Sequence, residues 1–252
     1  MKCKLLTVLM VVAFVAQGAW ADDGSLSVAT GFDYSSGKYG TANTTNILSI
    51  PVVGKYETGL WTLKLTLPYL RISGASGVVP GLGRLGPTTT NTTTQSGLGD
   101  MVAAVTYNIS EGSVSTPAID LIGKVKLATA DTGLGTGQND YAAQVDVDQS
   151  FDKFTPMASL GYKVRGSPAG IAMNKVAYGY LGVAYQITDQ TSGGVAVDLS
   201  QRSSAASAGQ RELTVYVNHK IDKNLKVQGY LLQGFSNGSP DRGIGAMVSS
   251  KF

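Results

Sequence analysis

The sequence predicts an all-β protein: a transmembrane up-and-down antiparallel β-barrel of about 12 strands. Apolar residues recur at every second position in short segments along the chain, which is the period of a strand and not of a helix. The 252 residues include 32 glycines, and only 15% are charged, against about a quarter in an average globular protein. The segments are about ten residues long, enough for a tilted strand to cross a bilayer.

The N-terminus has the features of a secretory signal peptide. Lys2 and Lys4 precede an apolar run over 5–16, and small residues at 19 and 21 fit a signal peptidase site. We therefore predict that 1–21 is cleaved and that 22–252 forms the barrel. The mature chain then has 18 basic and 17 acidic residues and no cysteine, because Cys3 is removed. Its net charge of +1 gives no reason to expect a nucleic-acid partner.

The predicted strands begin almost directly after this segment. In chain order they span 26–34, 48–56, 61–69, 101–109, 119–127, 141–151, 158–164, 181–187, 195–199, 213–217, 225–235 and 244–252. The third alternates most regularly, from Trp61 to Tyr69, and the longest loop follows it at 73–97. A Thr-rich tract at 88–94 in that loop has no means of building a core.

The hairpin within 116–151 shows why a membrane barrel fits better than a soluble sandwich. One face of its two strands is apolar, and the other carries the charges Asp120, Lys124, Lys126, Asp140, Asp146 and Asp148. A sandwich would bury the apolar face, whereas a membrane barrel turns it to lipid and places the charges in a wet lumen. The rest of the chain decides between these two folds.

Three regularities of the whole chain favour the barrel in a bacterial outer membrane. Connections after even-numbered strands are mostly short, and those after odd-numbered strands are longer and rich in Gly, Ser and Thr. Almost every charge within a strand lies on the polar face, which alternates with the apolar one. Aromatic residues of the apolar parity fall at two heights, as in the interfacial girdles of such barrels. They are Phe32, Tyr34, Tyr69, Tyr141 and Phe235 at the outer ends, and Tyr56, Trp61, Tyr107, Phe151, Tyr185 and Phe252 at the inner ends.

Three motifs carry a family resemblance. The segment KVKLATADTGLGTGQNDY at 124–141, with LTLPY at 65–69 and SGLGD at 96–100, resembles the outer-membrane transporter family named for the meta pathway of phenol degradation. The similarity spreads along most of the mature chain, although Ala128 stands where the family pattern leads us to expect Pro. The resemblance implies a small barrel that moves hydrophobic or aromatic compounds across the outer membrane.

Candidate solute-contacting residues lie on the polar parity of the strands. They are Asp120, Lys124, Lys126, Asp146, Asp148, Lys163 and Arg165, which would form a mixed-charge band, and Tyr178, Tyr180, Tyr216 and Tyr230, which would stack on an aromatic solute. The alternative is that the charges only keep the interior wet and the tyrosines only fill it. If Ala128 faces Asp140, Lys124 lies opposite Gln144; the turn at 222–224 sets Tyr216 opposite Tyr230.

The long loop contains an apolar cluster ahead of its Thr tract, formed by Val78, Val79, Leu82 and Leu85. Such residues are poorly placed in bulk water. We expect this loop to fold inward, to pack against Tyr178 and Tyr180, and to set the narrowest point of the pore.

Other motifs support no site. The glycines of 81–86 fit a dinucleotide fingerprint, but Pro87 and the Thr tract follow where a helix must begin. The Gly-rich segment 131–140 matches no calcium loop and is interpreted as a turn, with ion binding left open. We predict no enzyme, metal or cofactor, because the single histidine, His219, falls at the periplasmic end, away from outer-leaflet lipid.

The function predicted from the sequence is therefore an outer-membrane channel for small solutes. Its partners would be outer-membrane lipid and the solute, and its oligomeric state is open. The alternatives are a structural or adhesive barrel and, with less support, an outer-membrane lipid hydrolase.

Overall fold

The computed structural model describes 24–86 and 91–252, so the predicted signal peptide and the first part of the Thr-rich tract lie outside the described residues. In the described part of the chain no helix is long and apolar enough to cross a membrane. The strands are β1 (Gly24–Gly37), β2 (Thr45–Thr58), β3 (Trp61–Ala75), β4 (Val78–Val79), β5 (Gly83–Arg84), β6 (Thr92–Leu98), β7 (Met101–Glu111), β8 (Ala118–Leu127), β9 (Asp140–Asp148), β10 (Phe154–Arg165), β11 (Val176–Gln186), β12 (Thr191–Ser200), β13 (Gln210–Lys220), β14 (Leu225–Gly234) and β15 (Arg242–Lys251).

These strands form a closed antiparallel barrel in which each wall strand pairs with its neighbours in the sequence. β1 closes the barrel by pairing with β15. β6 and β7 together make the fourth wall strand, because both pair with β3, on either side of a break at Gly99 and Asp100. The N–H of Gly99 donates to the carbonyl of Pro68 across the break, at 2.8 Å. Counted this way the barrel has 12 strands, which confirms the predicted fold class.

The exterior of the barrel is apolar, as the strand parity predicts. Leu160 is 71% exposed, Leu181 65% and Leu231 60%, and all three belong to the apolar parity. Near one rim the rings of Trp61 and Tyr107 pack with their centroids 4.7 Å apart. Exposure on this scale is unfavourable in water and favourable against hydrocarbon.

The two ends of the barrel differ in the length of their connections. Segments 59–60, 112–117, 149–153, 187–190 and 221–224 join strands at one end, and 38–44, 76–91, 128–139, 166–175, 201–209 and 235–241 at the other. The predicted alternation of short and long connections is confirmed. We call the end with the longer connections the outer end.

The predicted loop 73–97 is wrong at both margins. β3 continues to Ala75 and β6 starts at Thr92, and the two form a ladder in which Ser73 faces Thr94. Thr side chains suit this extension because β-branched residues favour the pleated conformation. Between them β4 and β5 form a small hairpin, 78–84, called here the mouth hairpin.

The predicted register of β8 and β9 is also wrong, by two residues. Lys126 faces Asp140 and Lys124 faces Ala142. Ala128 lies beyond the ladder, where its N–H donates to the Oδ1 of Asn139 at 2.8 Å.

Candidate functional site

The charged residues predicted for the lumen lie at two heights on β8, β9 and β10. Since β8 and β10 run outward and β9 runs inward, the bases Lys124, Lys126, Lys163 and Arg165 lie in the outer half, whereas Asp120, Asp146 and Asp148 lie towards the inner end. The predicted single mixed-charge band is therefore divided into a basic and an acidic level.

The outermost bases are paired with carboxylates. Lys126 Nζ lies 2.7 Å from Asp100 Oδ2 and 3.9 Å from Asp140 Oδ2. Arg165 approaches the same Asp140 oxygen at 3.5 Å. Asp100 follows the break between β6 and β7, and its other oxygen accepts the N–H of Ala130 at 3.0 Å. This network joins the break in the wall to the loop after β8.

The next two bases surround one tyrosine. The ammonium groups of Lys163 and Lys124 lie 5.0 and 6.0 Å from the centroid of the Tyr178 ring. The Tyr178 hydroxyl donates to Gln144 Oε1 at 3.0 Å, and Lys124 Nζ donates to the same oxygen at 2.6 Å. Because a cation over an aromatic face is attracted to its negative quadrupole, Tyr178 helps to hold both lysines in place.

The acidic level is built from facing residues. Asp120 and Asp146 are direct partners across β8 and β9, and Asp148 follows on the same face. Asn108 Nδ2 donates to Asp120 Oδ1 at 2.7 Å, and Gln144 Nε2 donates to Asp146. These amide hydrogen bonds partly offset the repulsion between the two facing carboxylates.

Three of the four predicted lumenal tyrosines lie over glycines of neighbouring strands. Tyr216 faces Tyr230 as predicted, yet Tyr216 packs over Gly194 and Tyr230 over Gly245, which are their partners on opposite neighbouring strands. Tyr180 faces Ser159 and Asp198. Of the four predicted tyrosines, the register thus sets Tyr216 opposite Tyr230, while Tyr178 and Tyr180 lie on β11.

The apolar residues of the mouth hairpin and the adjoining Leu85 are buried, but not against Tyr178 and Tyr180 as predicted. Val78, Leu82 and Leu85 are 4, 5 and 6% exposed. Val78 belongs to a core that has no contribution from Tyr178 or Tyr180 and consists of Tyr39, Ile47, Leu70, Ile72, Ala75, Val78 and Leu134. Burial raises the pKa of Tyr39, in the connection after β1, to about 12, so its hydroxyl stays neutral. At the far side of the mouth, Arg84 donates to the carbonyl of Ala206 at 3.0 Å.

A cavity of about 590 Å³ lies beneath this hairpin. Val79 and Leu82 contribute to its wall together with Lys124, Lys163 and Arg165. Sequence reasoning missed two acids that line this cavity, Asp33 on β1 and Glu212 on β13, and two apolar members, Tyr39 and Leu134. Two features of the sequence could have revealed them. Asp33 and Glu212 lie on the polar face of their strands, and Leu134 is the one leucine in a Gly-rich loop.

The Gly-rich segment 131–140 uses its polar oxygens within the protein. Asp131 Oδ2 accepts the N–H of Leu98 at 2.9 Å, and Asp140 Oδ1 accepts that of Gly166 at 3.1 Å. Among the described residues no group of three His, Cys, Asp or Glu side chains is placed to hold a metal ion. The fold of this segment is thus explained by hydrogen bonds to the backbone.

His219 lies near the end with the short connections, as predicted. Its Nδ1 is 2.9 Å from the Oγ1 of Thr191, its partner on β12. This contact orients the ring on the barrel wall.

No protein-family model and no curated protein matches the sequence, but solved structures share the fold. An outer-membrane channel from Pseudomonas putida F1 is similar with a TM-score of 0.69 and 14% identity, over 93% of this chain and 97% of that one. The KdgM porin gives a TM-score of 0.55 and 10% identity, over 90% and 99% of the chains. The translocator domain of the autotransporter NalP from Neisseria meningitidis gives 0.56 and 10%, over 97% and 94%.

At these identities the likeness concerns the fold. Together with the apolar exterior, it defines the chain as a β-barrel of the bacterial outer membrane.

Proposed function

We propose that this barrel is a channel for small solutes, with hydrophobic and aromatic compounds among them. The observation that carries the proposal is the cavity of about 590 Å³ in the outer half of the lumen, whose wall carries both charged and apolar side chains. A barrel of this strand number is wider than the eight-stranded kind that side chains fill, and narrower than an open porin. Its interior suits one small molecule at a time.

Two further arguments support a channel for such compounds. The motifs at 65–69, 96–100 and 124–141 resemble the transporter family named for the meta pathway of phenol degradation, and that family is our assignment for this chain. Two of the structures with a similar fold are named a channel and a porin. In this proposal residues 1–21 direct export, and the mouth hairpin forms the constriction above the cavity.

The test is single-channel recording of the purified, refolded barrel in a planar lipid bilayer. Stepwise conductance in KCl is the expected result. A barrel whose hydrogen bonds close on themselves resists detergent, so a gel-mobility shift on boiling provides the folding control. Folded protein without conductance steps would contradict the channel and favour the adhesive barrel, in which the loops alone act.

A further inference from the structure

Two cations of the basic level lack a carboxylate partner. Lys126 and Arg165 are paired with acids, as described above, but Lys124 and Lys163 take part in no ion pair found within 24–86 and 91–252. Their ammonium groups approach the Tyr178 ring instead. An aromatic face attracts a cation but does not neutralise it.

Gln144 separates Lys124 from the nearest acid. Its Oε1 accepts from Lys124 Nζ at 2.6 Å, and its amide N–H donates to Asp146. The amide satisfies one hydrogen bond of the lysine and leaves two donors and the full positive charge. Lys124 therefore keeps its capacity to bind an anion.

Arg165 is a third cation at the same place. The residue is only 8% exposed, and its Nε has no hydrogen-bond partner in the described part of the chain. Arg165 lines the cavity under the mouth hairpin and also an adjoining one of about 340 Å³, as do Lys124 and Lys163. The three cations thus stand where the two cavities meet.

Apolar side chains line another part of the cavity under the mouth hairpin. They are Ile47, Pro68 and Leu70 from the barrel wall and Val79, Pro80 and Leu82 from the hairpin. A volume of about 590 Å³ lies within the range of roughly 300–1,000 Å³ of small-molecule sites. One cavity therefore offers both a cationic group of side chains and an apolar surface.

We propose that this cavity binds an amphipathic organic monoanion, a carboxylate with an aromatic or aliphatic body, and that such anions are the solutes of the channel. The carboxylate lies on the ammonium groups of Lys163 and Lys124, with the guanidinium of Arg165 nearby, and the body lies against the mouth hairpin and Leu70. This inference rests on the channel function proposed above and names its solute class.

Other acids of the lumen restrict the ligand to one negative charge. Asp33 and Glu212 line the same cavity, and Asp198 is the direct partner of Glu212 on β12. A second carboxylate at the far end of a ligand would meet these groups, and like charges in a confined lumen repel strongly. The field across the cavity orients a monoanion with its head towards β8 and β10.

The experiment compares three probes with the same phenylpropyl body: 3-phenylpropionate, 3-phenylpropionamide and 3-phenylpropylamine. Their affinities are measured by calorimetry on the purified barrel in an uncharged maltoside detergent at low salt. The anion should bind about tenfold more tightly than the amide, the effect of one charge-assisted hydrogen bond, and the amine should bind most weakly. Equal affinities would overturn the proposal, and so would tightest binding of the amine, because the acids and not the lysines would then hold the ligand.

Variants locate the site. Lys163→Met and Lys124→Met should each weaken 3-phenylpropionate binding about tenfold and leave the amide nearly unchanged. Lys226→Met, which removes a lysine from a separate cavity with Asn218 and Gln228, is the matched control and should change neither affinity. Equal losses for both probes, or an equal loss in the control, would show that the basic level does not hold the anion.

Conductance in KCl separates this inference from the function on which it rests. Conductance steps without preference for the anionic probe would leave the channel standing and refute the solute class. Anion preference without conductance steps would refute the channel and keep the binding site.

Discussion

The ring of Tyr178 lies against Gly161, its direct partner on β10. A Cβ atom at Gly161 would be 2.4 Å from Cζ of that ring, so no side chain fits beneath it. The ammonium groups of Lys124 and Lys163 are positioned around the same ring. Gly161 therefore leaves room for the Tyr178 ring, and the ring in turn helps to position Lys124 and Lys163.

Replacing Gly161 by alanine should displace the Tyr178 ring and break its 3.0 Å hydrogen bond to Gln144. We expect a loss of stability of about 1–3 kcal/mol from overpacking and a change in the ion selectivity of the channel. Urea unfolding and reversal potentials measure the two effects. Gly123→Ala is the control, since nothing lies within 4 Å of its new methyl group; equal effects from both substitutions would rule out the ring as the cause.

Substitutions at two adjacent residues of β10 test the lipid-facing side of the barrel. Leu160 is 71% exposed on the exterior, and Ser159 lines a cavity in the lumen. Leu160→Arg should destabilise the barrel by about 2–4 kcal/mol, the cost of an arginine in mid-membrane, and Ser159→Arg should cost much less. The measurement is urea unfolding in lipid vesicles. If the two arginines cost the same, the assignment of the faces is wrong.

A reversal of charge at Lys124 tests its contact with permeating ions. Because Lys124 carries an uncompensated charge in the lumen, Lys124→Glu should shift the reversal potential in a salt gradient towards cation preference without loss of folding. Lys153→Glu makes the same change of charge in an exposed connection at the inner end and should shift it much less. A shift of the same size in both variants would indicate a surface-potential effect and not a lumenal one.

The fold could be predicted from the sequence because each strand shows its own alternation of apolar and polar residues. Trp61, Leu63 and Leu65 are all exposed on the exterior, as their parity in β3 requires. A period of two requires no knowledge of distant residues. What the parity cannot show is an interruption within a wall strand, and the break at Gly99 and Asp100 depends on Pro68 of the neighbouring strand.

Register was predictable only where the connection is short. Tyr216 faces Tyr230 as expected because the segment 221–224 leaves the chain little choice. The segment 128–139 is long and rich in glycine, so it permits several alignments of β8 with β9. The side chains of Asn139 and Asp131, which bond to backbone N–H groups, select the observed one.

The contacts of the candidate site were the least predictable feature. Leu134 and Tyr39 are 3 and 6% exposed in segments that read as polar loops. They are buried because the mouth hairpin brings Val78 to them from another part of the chain. Such packing depends on closure of the barrel, which no local pattern encodes.

The final prediction concerns the mouth hairpin as the constriction of the pore. Deleting 78–85 joins Gly77 directly to Gly86, and the two margins are already close because the N–H of Leu85 donates to the carbonyl of Gly77 at 3.0 Å. The deletion removes Val79, Pro80 and Leu82 from the cavity wall. Single-channel conductance should therefore rise, and discrimination between solutes of different size should fall.

Removing 169–172 from another outer connection is the matched control, since none of these residues lines that cavity. Both variants must first show the gel-mobility shift of a folded barrel. The hairpin deletion removes Val78 from the core cluster that also contains Leu70, Ile72 and Ala75, so a modest loss of stability is expected there. Unchanged conductance in a folded hairpin deletion would show that the hairpin only covers the mouth, and that another segment limits passage through the lumen.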